Sequence, residues 1–349
     1  MQPIKIDAVE QALDAFLHRV VYLHLETTAG AYTAGGFGAF IRNAKLQLRS
    51  ARVRGSGPFR LCLDTEIGMV YAEGLTHWEE DTAGRLLLAG HDAQGRLTVS
   101  CEVSPEPFGC TAEPAAWEVK TSPVAPTMEP PTAERRVVAV LAHPDDETFG
   151  CGGTLARYTQ GGVPVALVCG TRGEQGRNMG NPTFATRESL PHIRVEELRR
   201  ACAALGIDRL HLLGVWDKTT EFSNPEVLAG RIASVLKEEQ PSVVITHHPE
   251  HGGHPDHCAI GQATIRAICN LPVAERPRVH CLISPRAAEK ANIPLQSVDI
   301  TLVREMKEKA VAAHRSQSEP MRARAEENPE ERKRREEFMN RERYMVYEV

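Results

Sequence analysis

Two clusters rich in carboxylate and imidazole stand far apart in the chain: Ala142-His143-Pro144-Asp145-Asp146-Glu147 and His254-Pro255-Asp256-His257. Each reads as half of a metal site. A catalytic zinc ion takes three nitrogen or oxygen ligands from the protein and leaves a fourth position for water. His143, Asp146 and His257 supply such a set, and a water held there loses its proton near neutral pH. Asp145, next to a ligand but free to point elsewhere, is the candidate to take that proton. Attack on an amide carbonyl builds negative charge on oxygen, and a donor aimed at that oxygen lowers the barrier. His254 is expected to be that donor as an imidazolium, and then to protonate the leaving amine. Asp256 is expected to orient and charge-stabilise His254.

Neither cluster is specific alone. Pro-Asp at a helix start is an ordinary capping arrangement, paired aspartates after a strand can cap the next helix, and a lone histidine is more often structural. Five histidines fall between His247 and His257. A second metal on His247, His248 and His251 is less favoured than solvated or structural roles. Cys151, beside the first cluster, reads as a small buried residue rather than a nucleophile. In Thr171-Arg172-Gly173-Glu174-Gln175-Gly176-Arg177 the two arginines are candidates to bind a substrate carboxylate or phosphate; plain surface arginines are the alternative.

Apolar runs must position these residues. Val137–Leu141 leads into the first cluster and Val243–Thr246 precedes the second, so both clusters leave the ends of buried strands. Strand and helix alternate here: helix 153–160, strand 165–169, helix 192–205, strand 210–213, helix 225–239 and helix 255–268. This rhythm predicts parallel strands with right-handed crossovers, an α/β fold with a doubly wound, mostly parallel, Rossmann-like sheet. In such a sheet the chain returns to the far side of its first strand, opening a ligand crevice at the strands' carboxyl ends. The two clusters would meet there.

Upstream, six or so short strands and a helix from about Asp7 to His18 predict a smaller, mainly β domain over residues 1–120. Pro123, Pro126, Pro130 and Pro131 mark a linker over 121–135, leaving 136–349 as the larger domain. The Arg- and Glu-dense stretch from Met321 to Arg343 reads as a charged helix, solvated or packed on a neighbouring subunit.

The chain has 349 residues, enough for two domains. Its 41 basic and 46 acidic residues nearly cancel at −5, which gives no field to hold nucleic acid. No leader-like or membrane-length apolar run is seen. Nine cysteines without a CxxC pair point to a reducing cytoplasm. A regulatory nucleotide-binding module is the rival class, but Gly150, Gly152 and Gly153 make neither GxGxxG nor a P-loop.

The segments AHPDDETFGCGGTLA, TRGEQG, RVEELRRACAALGI, HPDH and KAVAAHRSQ, ending at Gln317, resemble the PIG-L/LmbE family of zinc-dependent N-acetylglucosaminyl deacetylases. The resemblance implies that His143, Asp146 and His257 bind one Zn2+ per chain, with Fe2+ an alternative in the cell. It also implies Asp145 as general base and His254 as oxyanion stabiliser. Some members carry a tyrosine two positions before the histidine matching His254; here that position is Gly252, so its role is absent or filled elsewhere. HLETTAGAYTAGGFGAFIRNAKL, VYAEGLTHWEED and GRLLLAGHDAQGRL resemble a small bacillar family of unknown activity, encoded beside a deacetylase of the bacillithiol pathway. Together they imply N-acetylglucosaminyl malate as substrate, with thiol S-conjugates or chitin-type oligosaccharides as alternatives. A small-molecule glucosamine conjugate as partner and a homo-oligomer are further expectations. The N-terminal part is expected to be an interaction or substrate-covering module.

Overall fold

The structure is a computed structural model that describes residues 1–28, 38–109, 113–121, 133–319 and 329–349. The chain folds as two units. One combines residues 1–110 with 176–189, the other 111–175 with 190–349.

The first unit contains strands β1 (Gln2–Pro3), β2 (Val20–Thr28), β3 (Gly38–Arg54), β4 (Phe59–Thr65), β5 (Gly68–Leu75), β6 (His77–Glu80), β7 (Leu86–His91) and β8 (Leu97–Ser104). They form one sheet in the order β1-β6-β7-β8-β2-β3-β4-β5. Along β2 and β8 the side chains alternate between faces, as pleating requires. Val21, Leu23, Val99, Cys101 and Val103 join a core that includes Leu46, Leu48, Leu61, Leu63, Leu86 and Leu88. Helix α1 (Ile6–Asp14) closes that core with Val9 and Leu13. It ends four residues before His18, where the expected helix would have run on. There His18 adopts a left-handed φ of 60° and donates its N–H to the Leu48 carbonyl of β3.

The second unit contains β9 (Ala115–Glu118), β10 (Val137–Leu141), β11 (Val165–Cys169), β12 (Arg209–Leu212), β13 (Val243–His247), β14 (Arg278–Leu282), β15 (Gln296–Asp299) and β16 (Arg341–Tyr347). Helices are α2 (Asp146–Gln160), α3 (Leu190–Leu205), α4 (Pro225–Glu239), α5 (Pro255–Cys269), α6 (Pro285–Lys290), α7 (Arg304–Ala313) and α8 (Pro329–Asn340). The sheet order is β15-β16-β14-β13-β10-β11-β12-β9. The five strands from β14 to β12 are parallel, and β9, β16 and β15 pair antiparallel at the two edges. Sheet and helices together make an α/β fold. Central β10 has every residue from Val137 to Leu141 fully buried, because helices cover both of its faces. Ala139 and Leu141 pack with Leu155 of α2 and Leu198 and Cys202 of α3. Val138 and Val140 pack with Ile232 of α4 and Ile260 and Ala263 of α5.

Three stretches fall out differently from expectation. Ala115–Glu118, placed before the boundary by sequence, pairs with β12 as an edge strand of the second sheet. Residues 176–189, within the expected larger domain, cluster with residues 1–110. The charged C-terminal segment is helical only to Asn340; Met321–Asn328 lie outside the described residues, and Arg341–Tyr347 is strand β16. The reason is side-chain alternation: Glu342 and Tyr344 are buried while Arg341 is exposed, so pairing with β14 and β15 overrides the helix propensity of Arg and Glu. The proline-rich linker expected at 121–135 falls mostly outside the described residues, over 122–132.

Candidate metal centre and active site

Strands β10 and β13 are adjacent parallel neighbours, with Val140 opposite Thr246. Their carboxyl ends therefore release the two clusters side by side. The first runs through a tight turn. Asp145 holds a left-handed backbone, φ 102°, and α2 begins at Asp146. A non-glycine residue there costs on the order of 1–3 kcal/mol and persists only where the surroundings enforce it. They do: Asp145 donates its N–H to Glu147 Oε2 at 3.0 Å, and its Oδ2 accepts from Arg194 Nη2 at 3.1 Å. Arg194 also donates to the carbonyls of Pro144 and Gly173, joining this turn to the loop after β11. A side chain at Gly173, whose φ is +67°, would run into the Arg194 guanidinium. Glu147 in turn contacts His314 Nε2 at 2.6 Å, with both side chains buried.

Burial, with Asp146 beside it, raises the Asp145 carboxyl to about 6, against the opposing pull of Arg194. That suits a group which must accept a proton near neutral pH.

His143, Asp146 and His257 come together, with one possible ligand atom from each lying within 4.8 Å of the others. The hydrogen bonds around them say which nitrogens face inward. His143 Nε2 lies 3.2 Å from both Asp217 Oδ1 and Asp256 Oδ2. His257 Nδ1 lies 3.0 Å from the Gly252 carbonyl, which can only accept. With those protons placed outward, His143 Nδ1 and His257 Nε2 turn lone pairs toward each other at 3.1 Å. The Asp146 carboxylate lies 3.4 Å from His257 Nε2 and 3.6 Å from His143 Nδ1. Two facing lone pairs and a carboxylate are reconciled by a cation, so the donor set fits a divalent metal. The His143 imidazole reports the same demand. Burial disfavours its charge, yet Asp217 first, then Asp146 and Asp256, hold its pKa well above the ordinary histidine value.

The second cluster starts α5. His254 is the N-cap, its Nδ1 accepting the Asp256 N–H at 3.1 Å, with Pro255 at the first helical position. One sequence expectation changes here. Burial first, then the charges of His143 and His257, push the His254 pKa down to about 4. A neutral imidazole with its proton on Nε2 follows, not an imidazolium. The Asp256 carboxylate lies within 4.8 Å of a His254 ring nitrogen, and its charge opposes that downward push. It is fully buried and faces His143 Nε2 and the N–H groups of Lys218 (2.7 Å) and Thr220 (3.2 Å). Asp256 also gives His254 a backbone hydrogen bond.

The arginines separate. Arg172 has a buried Nε without a hydrogen-bond partner among the described residues, while its backbone N–H donates to Glu174 at 3.1 Å. Arg177 belongs to the first unit and is already engaged. Its Nε donates to the Leu97 carbonyl at 3.0 Å and its Nη2 lies 3.5 Å from Asp92, so it is not held ready for a ligand. A cleft of about 440 Å3 in the second unit includes Asp146, His247, Gly252 and His257 in its lining, with Phe149 and Phe338. A Cβ at Gly252 would come within 2.9 Å of the His257 Cβ, so a side chain at this position would force the turn to shift.

His247 stacks on His257 at 3.9 Å and lies 3.2 Å from Asp146 Oδ2. His248 caps its own loop, accepting the N–H groups of Glu250 and His251. Among the described residues, the groups of three or more possible donors are His143-Asp146-His257 and His143-His254-Asp256. Cys151 is fully buried, and burial raises its thiol well above the usual range.

Sequence reasoning passed over Asp217, Arg194, Glu147 and His314. Glu147, Arg194 and His314 left a trace, inside the HPDDE, RVEELRRACAALGI and KAVAAHRSQ segments. Asp217 follows the end of β12 and carries no motif of its own.

Comparison with known proteins adds the rest. The family model described as PIG-L, GlcNAc-PI de-N-acetylase, matches residues 138–268, and that of DUF1806, a protein of unknown function, matches residues 3–108. A Bacillus cereus protein named "Probable N-acetyl-alpha-D-glucosaminyl L-malate deacetylase 2" is 46% identical over 54% of this chain and 86% of its own length. Its Bacillus subtilis namesake is 41% identical over 56% of this chain and 88% of itself. "Uncharacterized protein YojF" of Bacillus subtilis is 43% identical over 31% of this chain and 98% of itself.

Proposed function

The chain belongs to the PIG-L family of de-N-acetylases, joined to a DUF1806 domain, and on that premise we propose that it hydrolyses an N-acetylglucosaminyl conjugate. The proposed substrate is N-acetylglucosaminyl L-malate, on the route to bacillithiol. Water adds to the acetamide carbonyl, the C–N bond breaks, and acetate and a free amine leave. One observation carries the choice of substrate: 46% identity to a relative so named, over most of that relative's length.

His143, Asp146 and His257 would hold the metal, which we take to be zinc, with ferrous iron the alternative. When bound, the ion supplies a Lewis acid for the amide oxygen and lowers the pKa of a water. The protein's own residues handle the proton. Asp145 takes it from the attacking water; its burial and its tie to Arg194 support that role. His254 donates its Nε2–H to the carbonyl oxygen as charge grows there, acting as a neutral imidazole. Since His254 holds no second proton at neutral pH, Asp145 is the group that returns a proton to the leaving nitrogen. Asp256 and Asp217 fix His143 from behind. Arg172 is the candidate to meet the malate carboxylates. We read the parallel core, with β10 at its centre, as doubly wound and the N-terminal part as mainly β. The free cysteines fit a reducing cytoplasm.

A panel of N-acetylglucosaminyl malate, methyl N-acetylglucosaminide and an S-conjugate of bacillithiol, assayed for released amine, tests the substrate. The malate conjugate is expected to give the highest kcat/KM. Equal or faster release from either of the others would remove malate from the proposal.

A further inference from the structure

The first unit has a polar sheet face that is nevertheless buried. On β2, His24, Glu26 and Thr28 alternate with the core residues. On neighbouring β8, Ser100, Glu102 and Ser104 do the same, and each of these six side chains is at most 5% exposed. A carboxylate taken out of water needs a charged or hydrogen-bonding cover. That cover comes in part from residues 176–189, which lie inside the stretch matched by the PIG-L family yet fold with residues 1–110.

The contacts are specific. Arg187, 3% exposed, donates from Nη2 to Glu26 Oε1 at 3.1 Å, with Nε 2.9 Å from Oε2. Its Nη1 donates to the Gly176 carbonyl at 2.9 Å, holding the segment's two ends together. Glu188 accepts from Arg42 at 3.0 Å and from Arg85 at 2.9 Å. At the start of the segment, Arg177 and Leu97 exchange hydrogen bonds: the Leu97 N–H reaches the Arg177 carbonyl at 2.8 Å, and Arg177 Nε reaches the Leu97 carbonyl. Asn178 adds an antiparallel bridge to Arg96. Met179 and Ala185 are 1% exposed. An arginine and a glutamate in sequence thus meet a carboxylate and two arginines on residues 1–110, and the carboxyl of Glu102, held well above its usual value by burial and by Glu188, meets Glu188 as well.

We propose that residues 1–110 form a docking module whose ligand is the chain's own segment 176–189. The module's purpose is to clasp a loop of the deacetylase sequence, and the Arg187–Glu188 pair is the recognition element. A second observation agrees. In Bacillus subtilis, counterparts of the two portions are separately named chains, YojF and the deacetylase. A fused chain supplies high effective concentration, but the pairs themselves are built to hold without the covalent link.

The test uses the full chain carrying a protease site at 111–112, ahead of β9, so that the β9–β12 pairing stays within one piece. After cleavage under native conditions, the two pieces are expected to co-elute in gel filtration at the position of the uncut chain. In Arg187→Ala/Glu188→Ala, cut at the same place, association should be at least tenfold weaker, read by sedimentation across a dilution series. Circular dichroism of both uncut proteins checks that the variant folds; if it does not, Arg187→Lys, which keeps the charge but loses the paired contact to Glu26, takes its place. Separation of the unmutated cut pieces would overturn the proposal. So would equal association of the cut variant.

Discussion

At the residue scale, the groups proposed to hold a cation stand apart from the groups proposed to move a proton. Asp145 and Asp146 are neighbours, yet the left-handed turn at Asp145 sends one carboxylate to Arg194 and the other to the histidines. Asp145→Asn should keep its metal and lose about 10²–10⁴-fold in kcat, the usual worth of a positioned base. Near wild-type turnover in that variant would put the base elsewhere. Asp217→Asn should instead weaken metal affinity by about 10–100-fold, because it loosens the grip on His143 Nε2. Competition with a chelating dye measures this; unchanged affinity would count against the orientation assigned to His143. The candidate ligands were legible because histidine and aspartate at two strand ends are chemically conspicuous. Asp217 was not, since a single aspartate after an edge-side strand looks like any loop residue. The protonation state of His254 was also out of reach: burial and two neighbouring imidazoles decide it, and neither is written in HPDH.

At the element scale, β10 and β13 do what their apolar runs promised, ending side by side with the clusters beyond them. The β16 strand was hidden by its composition. Its Glu342 receives the N–H groups of Gly153 and Thr154 inside α2, both at 2.8 Å, and pairs with the fully buried Lys307 at 2.8 Å. Tyr344 adds its hydroxyl to Glu342 and to Thr154. The helix that begins with the candidate ligand Asp146 is thereby fastened at mid-length to the C-terminal strand. Glu342→Gln leaves the buried Lys307 without its counter-charge and should cost about 3–5 kcal/mol. Denaturant unfolding gives the value; a loss below about 0.5 kcal/mol, the range of ordinary surface changes, would show the tie to be incidental. Gly153 also sits so close to Ile300 that an added Cβ would lie 2.4 Å from it, which fixes how tightly α2 can approach.

At the scale of the whole molecule, two families meet in one chain, and the boundary between them is not a single point in sequence. Proline-rich residues suggested one cut, whereas folding assigns 176–189 to the company of residues 1–110. No local pattern announces this, because the match depends on charges at Glu26, Arg42 and Arg85, brought together only by the sheet. The alternation of strand and helix beyond Val137 was plain, since each buried strand is a continuous apolar run. The central claim, that this chain is a metal-dependent deacetylase, is tested most directly by stripping it with chelator and titrating Zn2+ or Fe2+ back. Bound metal and amine released from N-acetylglucosaminyl malate are followed in the same samples. Turnover should vanish on stripping and return in proportion to metal, reaching its plateau at one ion per chain. Full turnover by the stripped protein, or complete rebinding without amine release, would contradict the account.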